Sequence, residues 1–347
     1  DAIVYDVKAD VAGISQNGFL NKFDVVDANG TVNVNNKGVE FAGSGEINGA
    51  KVSKGNVKYL FSPEKGVDTF IDVTASTAIE NLKRFGYPEF YFMKSGNIGV
   101  NAKVKIGDKI EQAQGSVNLD NSEVEFKEFG WKKPRGEQAT VELNTEQVDN
   151  SLKINSFSLN GKRISAQGSL ALTDNFSALS SLKLSKFNFA GSNISNLNYE
   201  KNVSGTKIDV EADSINLISY MEQSGDSFSF KNFPAIHLKA DIGTLTLGKD
   251  RILSDFRGEL FCDKTICQSA NLTGETGAEK PYSIKILADA KNRRQIAIQS
   301  EDAGSFLHAI GVLDGMNGGI LTINGNYKEG GAGSELVGKL LVSEHTI

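Results

Sequence analysis

The sequence predicts a mainly β protein, an elongated antiparallel β-meander that curls into a groove, like a taco or an open barrel, with about three short helices. Three observations lead to this fold class. Apolar and polar residues alternate along many segments, turn signals recur at intervals of roughly ten residues, and a unit of the form Gly-x-apolar-x-apolar repeats along the chain. Together they indicate well over a dozen strands joined by hairpins.

The alternation has a period of two residues, which places apolar side chains on one face of a strand and polar side chains on the other. One apolar face and one solvent-exposed polar face are typical of an antiparallel sheet. The residues on the apolar faces of their strands are the candidate lining of an apolar groove. They are Ile98, Val100, Val104, Val117, Leu119, Leu170, Leu172, Ile208, Val210, Ile236, Leu238, Ile284 and Ile286.

The turn signals and the glycine units subdivide the chain. Asn29-Gly30, Asn48-Gly49 and Asn160-Gly161 are dipeptides that favour tight hairpin turns. The repeated unit occurs four times, as Gly30-Thr-Val-Asn-Val, Gly115-Ser-Val-Asn-Leu, Gly168-Ser-Leu-Ala-Leu and Gly338-Lys-Leu-Leu-Val. We therefore expect each unit to begin a strand.

Three short segments depart from the alternation and are predicted to be helical: residues 77–85, 214–223 and 302–310. Thr77 and Glu80 have the spacing of a capping box, and Asp302 is a suitable N-cap. Gly225 is expected to end the second helix, as a glycine commonly ends a helix in the left-handed conformation.

The first and third helical segments resemble repeats of one unit. Each follows a strand and contains a leucine four residues before a glycine, Leu82 with Gly86 and Leu307 with Gly311. We expect both leucines to be buried against the sheet and both glycines to adopt the left-handed conformation.

Three short helices are too few to cover the dry faces of so many strands. The apolar faces must therefore pack against each other, as in a sandwich or folded sheet, or contact something else.

The chain of 347 residues is expected to divide into residues 1–228 and residues 229–347, or to form one continuous unit. It begins at Asp1 without an initiator Met or signal peptide, so we expect a processed protein or a fragment of a longer chain.

The charge argues against nucleic acid as a partner. The formal net charge is −6, whereas nucleic-acid binders usually carry a basic surface. Two basic groups stand out, Lys132, Lys133 and Arg135, and then Lys291, Arg293 and Arg294. They are interpreted as solvated hairpin tips, with contact to anionic lipid headgroups as the alternative.

The residue types required for catalysis are sparse. His237, His308 and His345 have no metal-ligand spacing, and the motifs HExxH, GxSxG and the Walker loop are missing from the sequence. Asp209, Glu211 and Asp213 share a strand parity, which is better explained by a solvated face. We therefore expect neither an enzyme nor a cofactor.

Cys262 and Cys267 are separated by four residues between two predicted strands. A hairpin would place their Cα atoms within disulfide range, so a disulfide is predicted, with a buried thiol pair or a metal site as alternatives.

The single Trp131 follows Phe126 and precedes two lysines, which indicates either a packed β-corner or an anchor at a membrane interface.

One segment resembles a known family. Residues 298–325 resemble the signature of the AsmA-like superfamily, in particular its YhdP-type branch, through Ser300, Asp302, Ala303, Gly304, Leu307, Gly311, Asp314, Gly318, Gly319, Leu321 and Gly325. The rest of the chain is similar only in its meander of glycine-started strands.

The resemblance implies a β-rich periplasmic part of a bacterial cell-envelope protein, tethered to the inner membrane through segments absent from this chain. Such proteins are similar to bridge-like lipid-transfer proteins and contribute to outer membrane biogenesis. The expected function is a section of a hydrophobic groove that binds phospholipid and conducts it between the inner and outer membranes. The expected partners are phospholipid acyl chains, the remainder of a longer membrane-anchored chain, and components of both membranes. The alternative is a structural or adhesive β-sandwich or solenoid protein of the envelope without a lipid path.

Overall fold

The computed structural model describes residues 4–19, 23–86, 90–107, 111–127, 131–148, 151–173, 178–224, 235–263, 267–277, 279–288, 294–328 and 335–346. Strands make up 78% of the structure and helices 7%, which confirms the mainly-β, open antiparallel meander. None of the described helices is long and apolar enough to cross a membrane.

The chain forms two compact units, with residues up to 179 in the first and residues from 180 onwards in the second. The division drawn from the sequence lies at 228/229, inside the segment 225–234, which is outside the described residues. That division stays a prediction.

The first unit is an antiparallel meander in which consecutive strands pair through short turns. The exception is β7, which pairs with β10, because β8 and β9 form a small separate ladder on β6. Its strands are β1 (Asp6–Phe19), β2 (Phe23–Asn35), β3 (Gly38–Ile47), β4 (Ala50–Glu64), β5 (Val67–Ala78), β6 (Met93–Gly107), β7 (Glu111–Asn118), β8 (Ser122–Phe126), β9 (Trp131–Lys133), β10 (Ala139–Val148), β11 (Ser151–Gly161) and β12 (Ile164–Thr173).

The second unit contains ten strands in sequence order, and one neighbouring pair is parallel. β15 pairs with β16 in parallel because a crossover that includes a helix joins them. The strands are β13 (Ala178–Phe189), β14 (Ser192–Asn202), β15 (Gly205–Asn216), β16 (Ile236–Gly248), β17 (Arg251–Cys262), β18 (Cys267–Thr276), β19 (Pro281–Ala288), β20 (Arg294–Ser300), β21 (Asn317–Lys328) and β22 (Glu335–Thr346).

Three helices lie in the described part of the chain: a 3-10 helix Ile79–Phe85, α1 (Ile218–Ser224) and α2 (Ala303–Ala309). The capping box predicted at Thr77 is wrong. Thr77 is still part of the β5–β6 ladder, and the N-cap is Ala78, which makes no side-chain capping bond. The second helix begins later than predicted because β15 continues to Asn216. Its predicted final residue, Gly225, lies outside the described residues.

The paired Leu and Gly predictions hold at three of four positions. Gly86 has a φ of +84° and Gly311 a φ of +73°, so both are left-handed. Leu307 is buried. Leu82 is only half-buried, because its helix is a single 3-10 segment with no buried residue.

The aromatic cluster around Trp131 is a packed corner rather than an exposed anchor. Trp131 is buried and its ring lies 5.9 Å from that of Phe126, which in turn stacks on Phe92 at 5.2 Å. The corner therefore joins the small ladder of β8 and β9 to the start of β6.

The two basic groups are solvated only in part: Lys132 and Arg135 are exposed, as predicted, whereas Lys133 and Arg294 are buried. Lys133 is buried, and its ammonium donates to the carbonyl oxygens of Leu119, Ser122 and Pro134. Arg294 is also buried and donates to Gln268. Both side chains are buried, so neither is available to a lipid headgroup. Lys291 and Arg293 lie outside the described residues.

Candidate functional site

In the first unit, cross-strand pairing aligns the apolar residues of ten strands into rows. Residues directly opposite each other in a sheet share a face, so a row can be followed from strand to strand. The central row contains one polar residue, a threonine, and runs Ala9, Val32, Phe41, Val57, Ile71, Val104, Ala113, Thr145, Ile154, Leu170. We call the face that carries this row the first apolar face.

The row next to it is rich in glycine. It runs Val11, Gly30, Gly43, Gly55, Val73, Ala102, Gly115, Leu143, Phe157, Gly168. Three of the four repeated glycine units found in the sequence thus begin in this one row. A Cβ on Gly115 would lie 2.0 Å from the carbonyl oxygen of Asn101, so no larger residue fits there. The glycines of this row leave shallow depressions that are separated by the larger side chains of Val73, Leu143 and Phe157. We call this row the glycine-rich trough.

The other side of the trough carries a further apolar row, whose members are Val52, Ala75, Val100, Val117, Val141, Leu159 and Ala166. The row on the far side of the central row includes Val7, Tyr59 and Ile106, and becomes polar at Glu111 and Gln147. The face is therefore apolar in its middle and partly polar toward one margin.

The first apolar face is partly open to solvent. Val32, Phe41, Val57, Ile71 and Val104 are all half-buried, although they occupy the middle of their strands. Both clusters of mutually packed buried apolar residues found in the described ranges belong to the second unit. The 3-10 helix lies against β5 and β6, at the end of the face marked by Thr77 and Ile98.

The structure places seven of the predicted groove residues in the first unit. Val100, Val104, Val117, Leu170 and Leu172 lie in the rows of the first apolar face and are half-buried. Ile98 has the same parity on β6 but is buried, and Leu119 lies just beyond the end of β7.

In the second unit, a second apolar face is built in the same way. Its central row runs Leu184, Leu197, Val210, Ala240, Gly258, Leu272, Ile284, Ile298, Ile323, Leu340. The parallel pair of β15 and β16 does not interrupt the row. The remaining predicted residues of this unit, Ile208, Ile236, Leu238 and Ile286, occupy the same face, one to two rows from the central row.

Helix α2 covers one end of the second apolar face. Phe306 and Leu307 are buried in a cluster with Ile242, Tyr282 and Leu321, and the rings of Phe306 and Tyr282 lie 5.0 Å apart. Burial raises the pKa of the Tyr282 hydroxyl above its ordinary value. The helix therefore fills a space that would otherwise continue the apolar face toward this end of the strands.

The residues of the family-like signature account for the position of α2. Asp302 caps the helix by accepting hydrogen bonds from the Ser305 amide at 2.9 Å and its hydroxyl at 2.7 Å. Ser300 fixes Asp302 through a bond from the Asp302 amide to its hydroxyl. A Cβ on Gly304 would lie 2.3 Å from the carbonyl oxygen of Met316, so glycine allows the close approach to β21. At the other helix end, Arg251 donates to the carbonyl oxygen of Ala309 at 3.1 Å.

The opposite end of the second apolar face carries the disulfide. Cys262 and Cys267 are bonded, as predicted, and pack with Ala270, Ile286 and Ile296. The bond joins the ends of β17 and β18 across their hairpin.

A depression of about 480 Å³ lies on the other, polar face of the first unit. Its lining includes the charged residues Asp72, Lys103 and Glu142, and Lys103 pairs with Asp72 at 3.8 Å. Its charged lining makes it unsuited to apolar chains. The candidate apolar site is the opposite face.

The histidines and the acidic strand lie away from both apolar rows. His237 is exposed and its ring lies 6.2 Å from that of Phe261. His308 pairs with the exposed Asp314 at 2.7 Å. Asp213 accepts a bond from Asn193, which is a surface contact between strands. The side chain of His345 is outside the described residues.

Comparison of the chain with protein-family models, curated proteins and solved structures gives no match in any of the three. The resemblance of residues 298–325 to the AsmA-like signature stays a prediction from the sequence.

Sequence reasoning missed several members of the apolar rows. Phe41, Val57, Ile71 and Phe157 occupy the same face as Val104. Each has a local alternating pattern that would have identified its parity. Its row, however, depends on the register between strands, which alternation within one strand does not specify.

Proposed function

We propose that each apolar face lines a section of a hydrophobic groove that binds phospholipid acyl chains and conducts them between the inner and outer membranes of a bacterial envelope. The observation that carries the proposal is the central row of the first unit, which crosses ten strands, is apolar except for Thr145 and is half-buried everywhere but at the exposed Ala9. The transfer is passive, because each CH₂ group that leaves water contributes about 0.8 kcal/mol wherever it lies on the face.

The dimensions of the first apolar face suit an acyl chain. On β6 the apolar parity runs from Ile98 to Ile106, a length of about 27 Å at ~3.4 Å per residue. A lipid tail spans half of a bilayer core, about 15 Å. A chain can therefore lie within the apolar width while its headgroup reaches the polar margin near Glu111 and Gln147.

The glycine-rich trough gives the path a direction. It crosses the strands instead of following them, so a lipid moving along it passes from one hairpin to the next, over the glycines and past the Phe41 ring that lies beside Gly43. Positions of similar chemistry along the path bind an acyl chain with similar affinity. A lipid can therefore move along the path without being held at one strongly binding position.

The alternative is a structural or adhesive protein whose sheets pack without a ligand. Closely packed sheets bury the middle of each strand at a packing density of about 0.74. The half-buried state of Val57, Ile71 and Val104 favours the open groove over that alternative.

The test combines lipid content with a matched pair of charge variants. Val104→Asp places a carboxylate in the central row, whereas Asn101→Asp adds the same charge on the exposed polar face of the same strand. Native mass spectrometry of each purified protein measures co-purifying phospholipid, and thermal unfolding measures stability.

We expect the wild type and Asn101→Asp to carry phospholipid and Val104→Asp to remain folded but lose it. An unpaired charge is costly in an apolar environment, yet at a half-open site the carboxylate still reaches water. Unfolding of Val104→Asp alone would favour the packed alternative. A folded Val104→Asp that keeps its lipid would show that the lipid lies elsewhere.

A further inference from the structure

Helix α2 ends in a backbone hydrogen-bond motif that is followed by an exposed apolar residue, Val312. The Val312 amide donates to the Leu307 carbonyl oxygen and the Gly311 amide to the His308 carbonyl oxygen, both at 2.9 Å. With Gly311 left-handed, this is a Schellman motif, in which the residue at the Val312 position usually packs back onto the helix. Here Val312 is instead 67% exposed.

Further exposed apolar residues surround this end of the second unit. Leu313, beside Val312, is 47% exposed, and Tyr220 of α1 is 55% exposed. Ile252 at the start of β17 and Ile320 near the start of β21 are 38% and 43% exposed. These five residues, Tyr220, Ile252, Val312, Leu313 and Ile320, are called the α2 rim.

The topology brings the α2 rim to one end of the sheet. Arg251, next to Ile252, is bonded to the C-terminal end of α2, and β21 begins directly after the α2 loop. Leu217, which leads into α1, donates to the carbonyl oxygen of Thr246 near the end of β16. All of these elements therefore meet where β15 and β16 end and β17 and β21 begin.

The rim residues occur on both sides of the sheet. Leu253 and Leu321 are buried under α2, so the preceding residues Ile252 and Ile320 point to the opposite face, because successive side chains alternate. Val312 and Leu313 lie on the α2 side. A protein partner usually covers one face of a sheet. The apolar layer of a membrane, in contrast, surrounds the end of a sheet that inserts into it, and so contacts both faces.

We propose that the α2 rim inserts shallowly into the surface of a lipid bilayer. The neighbouring hairpin turns carry both signs of charge, with Lys249 beside Asp250 and Glu279 beside Lys280. The exposed Asp314 follows Leu313 directly, so the rim has no preference for an anionic surface. A zwitterionic surface fits this balance, and Tyr220 is a residue type enriched at membrane interfaces. The proposal goes beyond lipid binding by the apolar faces and does not depend on it.

The test is co-sedimentation of the full chain with phosphatidylcholine vesicles. The rim variant combines Val312→Asp with Leu313→Asp, both at exposed positions. The matched control is Val203→Asp, at the fully exposed turn between β14 and β15, at the other end of β15 from α1. Thermal unfolding checks that both variants are folded.

We expect the wild type and Val203→Asp to bind the vesicles equally, and to remain bound at high salt. The rim variant should bind the vesicles at least about tenfold more weakly, because the two apolar side chains that would move from water into the bilayer have been replaced by carboxylates. Absence of wild-type binding, binding only to anionic vesicles, or equal binding by the rim variant would each overturn the proposal. Val104→Asp separates the two proposals, since it should lose co-purifying lipid while keeping its vesicle binding.

Discussion

Replacing the buried Lys133 with methionine tests how the corner of β8 and β9 is held together. The ammonium of Lys133 donates to the backbone carbonyl oxygens of Leu119, Ser122 and Pro134 at 2.7, 3.0 and 3.2 Å, and lies 3.5 Å from that of Asp120. Lys133→Met keeps a side chain of similar length and removes the donors, so the carbonyl groups of Leu119, Ser122 and Pro134 lose a partner while remaining at the corner.

The magnitude follows from two opposing contributions. Each hydrogen bond to a charged group contributes about 1.5–3 kcal/mol, and the substitution also removes the cost of burying an ammonium ion, which amounts to several kcal/mol. The net loss in the free energy of unfolding is expected to be about 2–4 kcal/mol.

The fluorescence of Trp131 during urea unfolding measures this loss, because Trp131 is the only tryptophan and is buried in the same corner. Lys132→Met is the matched control, since Lys132 is exposed and pairs with Glu123 on the surface. Equal stability of the two variants would refute the role of Lys133.

The pH dependence provides a second check on Lys133. Burial lowers its pKa below the ordinary value of 10.5, and this effect outweighs the attraction of Asp120 and Glu137. Between the lowered pKa and 10.5 the unfolded chain therefore binds more protons than the folded chain. The stability contributed by Lys133 rises with pH across this range, and Lys133→Met should remove that rise.

Two further predictions concern the second unit. Reduction of the Cys262–Cys267 bond, which closes a loop with a sequence separation of 5, should lower the free energy of unfolding by about 2 kcal/mol, and an unchanged urea midpoint after reduction would contradict this. Asp302→Ala removes the cap of α2 and should cost about 1 kcal/mol, whereas Glu301→Ala at the exposed neighbouring position should have little effect; equal effects in thermal unfolding would mean that the cap is not stabilising α2.

The sequence was sufficient to predict the fold class and the parity of the strands, because both depend on local patterns. Alternation over two residues assigned Val100, Val104 and Ile208 to apolar faces, and the spacing of Cys262 and Cys267 located a disulfided hairpin. These features need no knowledge of which strand lies beside which.

Features that depend on register or on distant residues were not predicted. Gly30, Gly115 and Gly168 were expected to begin strands, which is wrong, because they lie inside β2, β7 and β12. Their alignment in one row requires the pairing of ten strands. The environment of Lys133 was also missed, since its carbonyl partners Leu119 and Ser122 lie 14 and 11 residues before it in the chain. The parallel pair of β15 and β16 depends on the crossover through α1, which no local period encodes.

The central claim, that lipid lies on the first apolar face, is tested most directly by site-specific photocrosslinking. A benzophenone side chain is placed in one variant at position 104, in the central apolar row, and in a second variant at position 103, on the polar face of the same strand. The two variants thus probe opposite faces at neighbouring positions. After illumination with labelled phosphatidylethanolamine, the account predicts a lipid adduct at position 104 and none at position 103. An adduct at position 103 alone, or equal adducts at both positions, would contradict it.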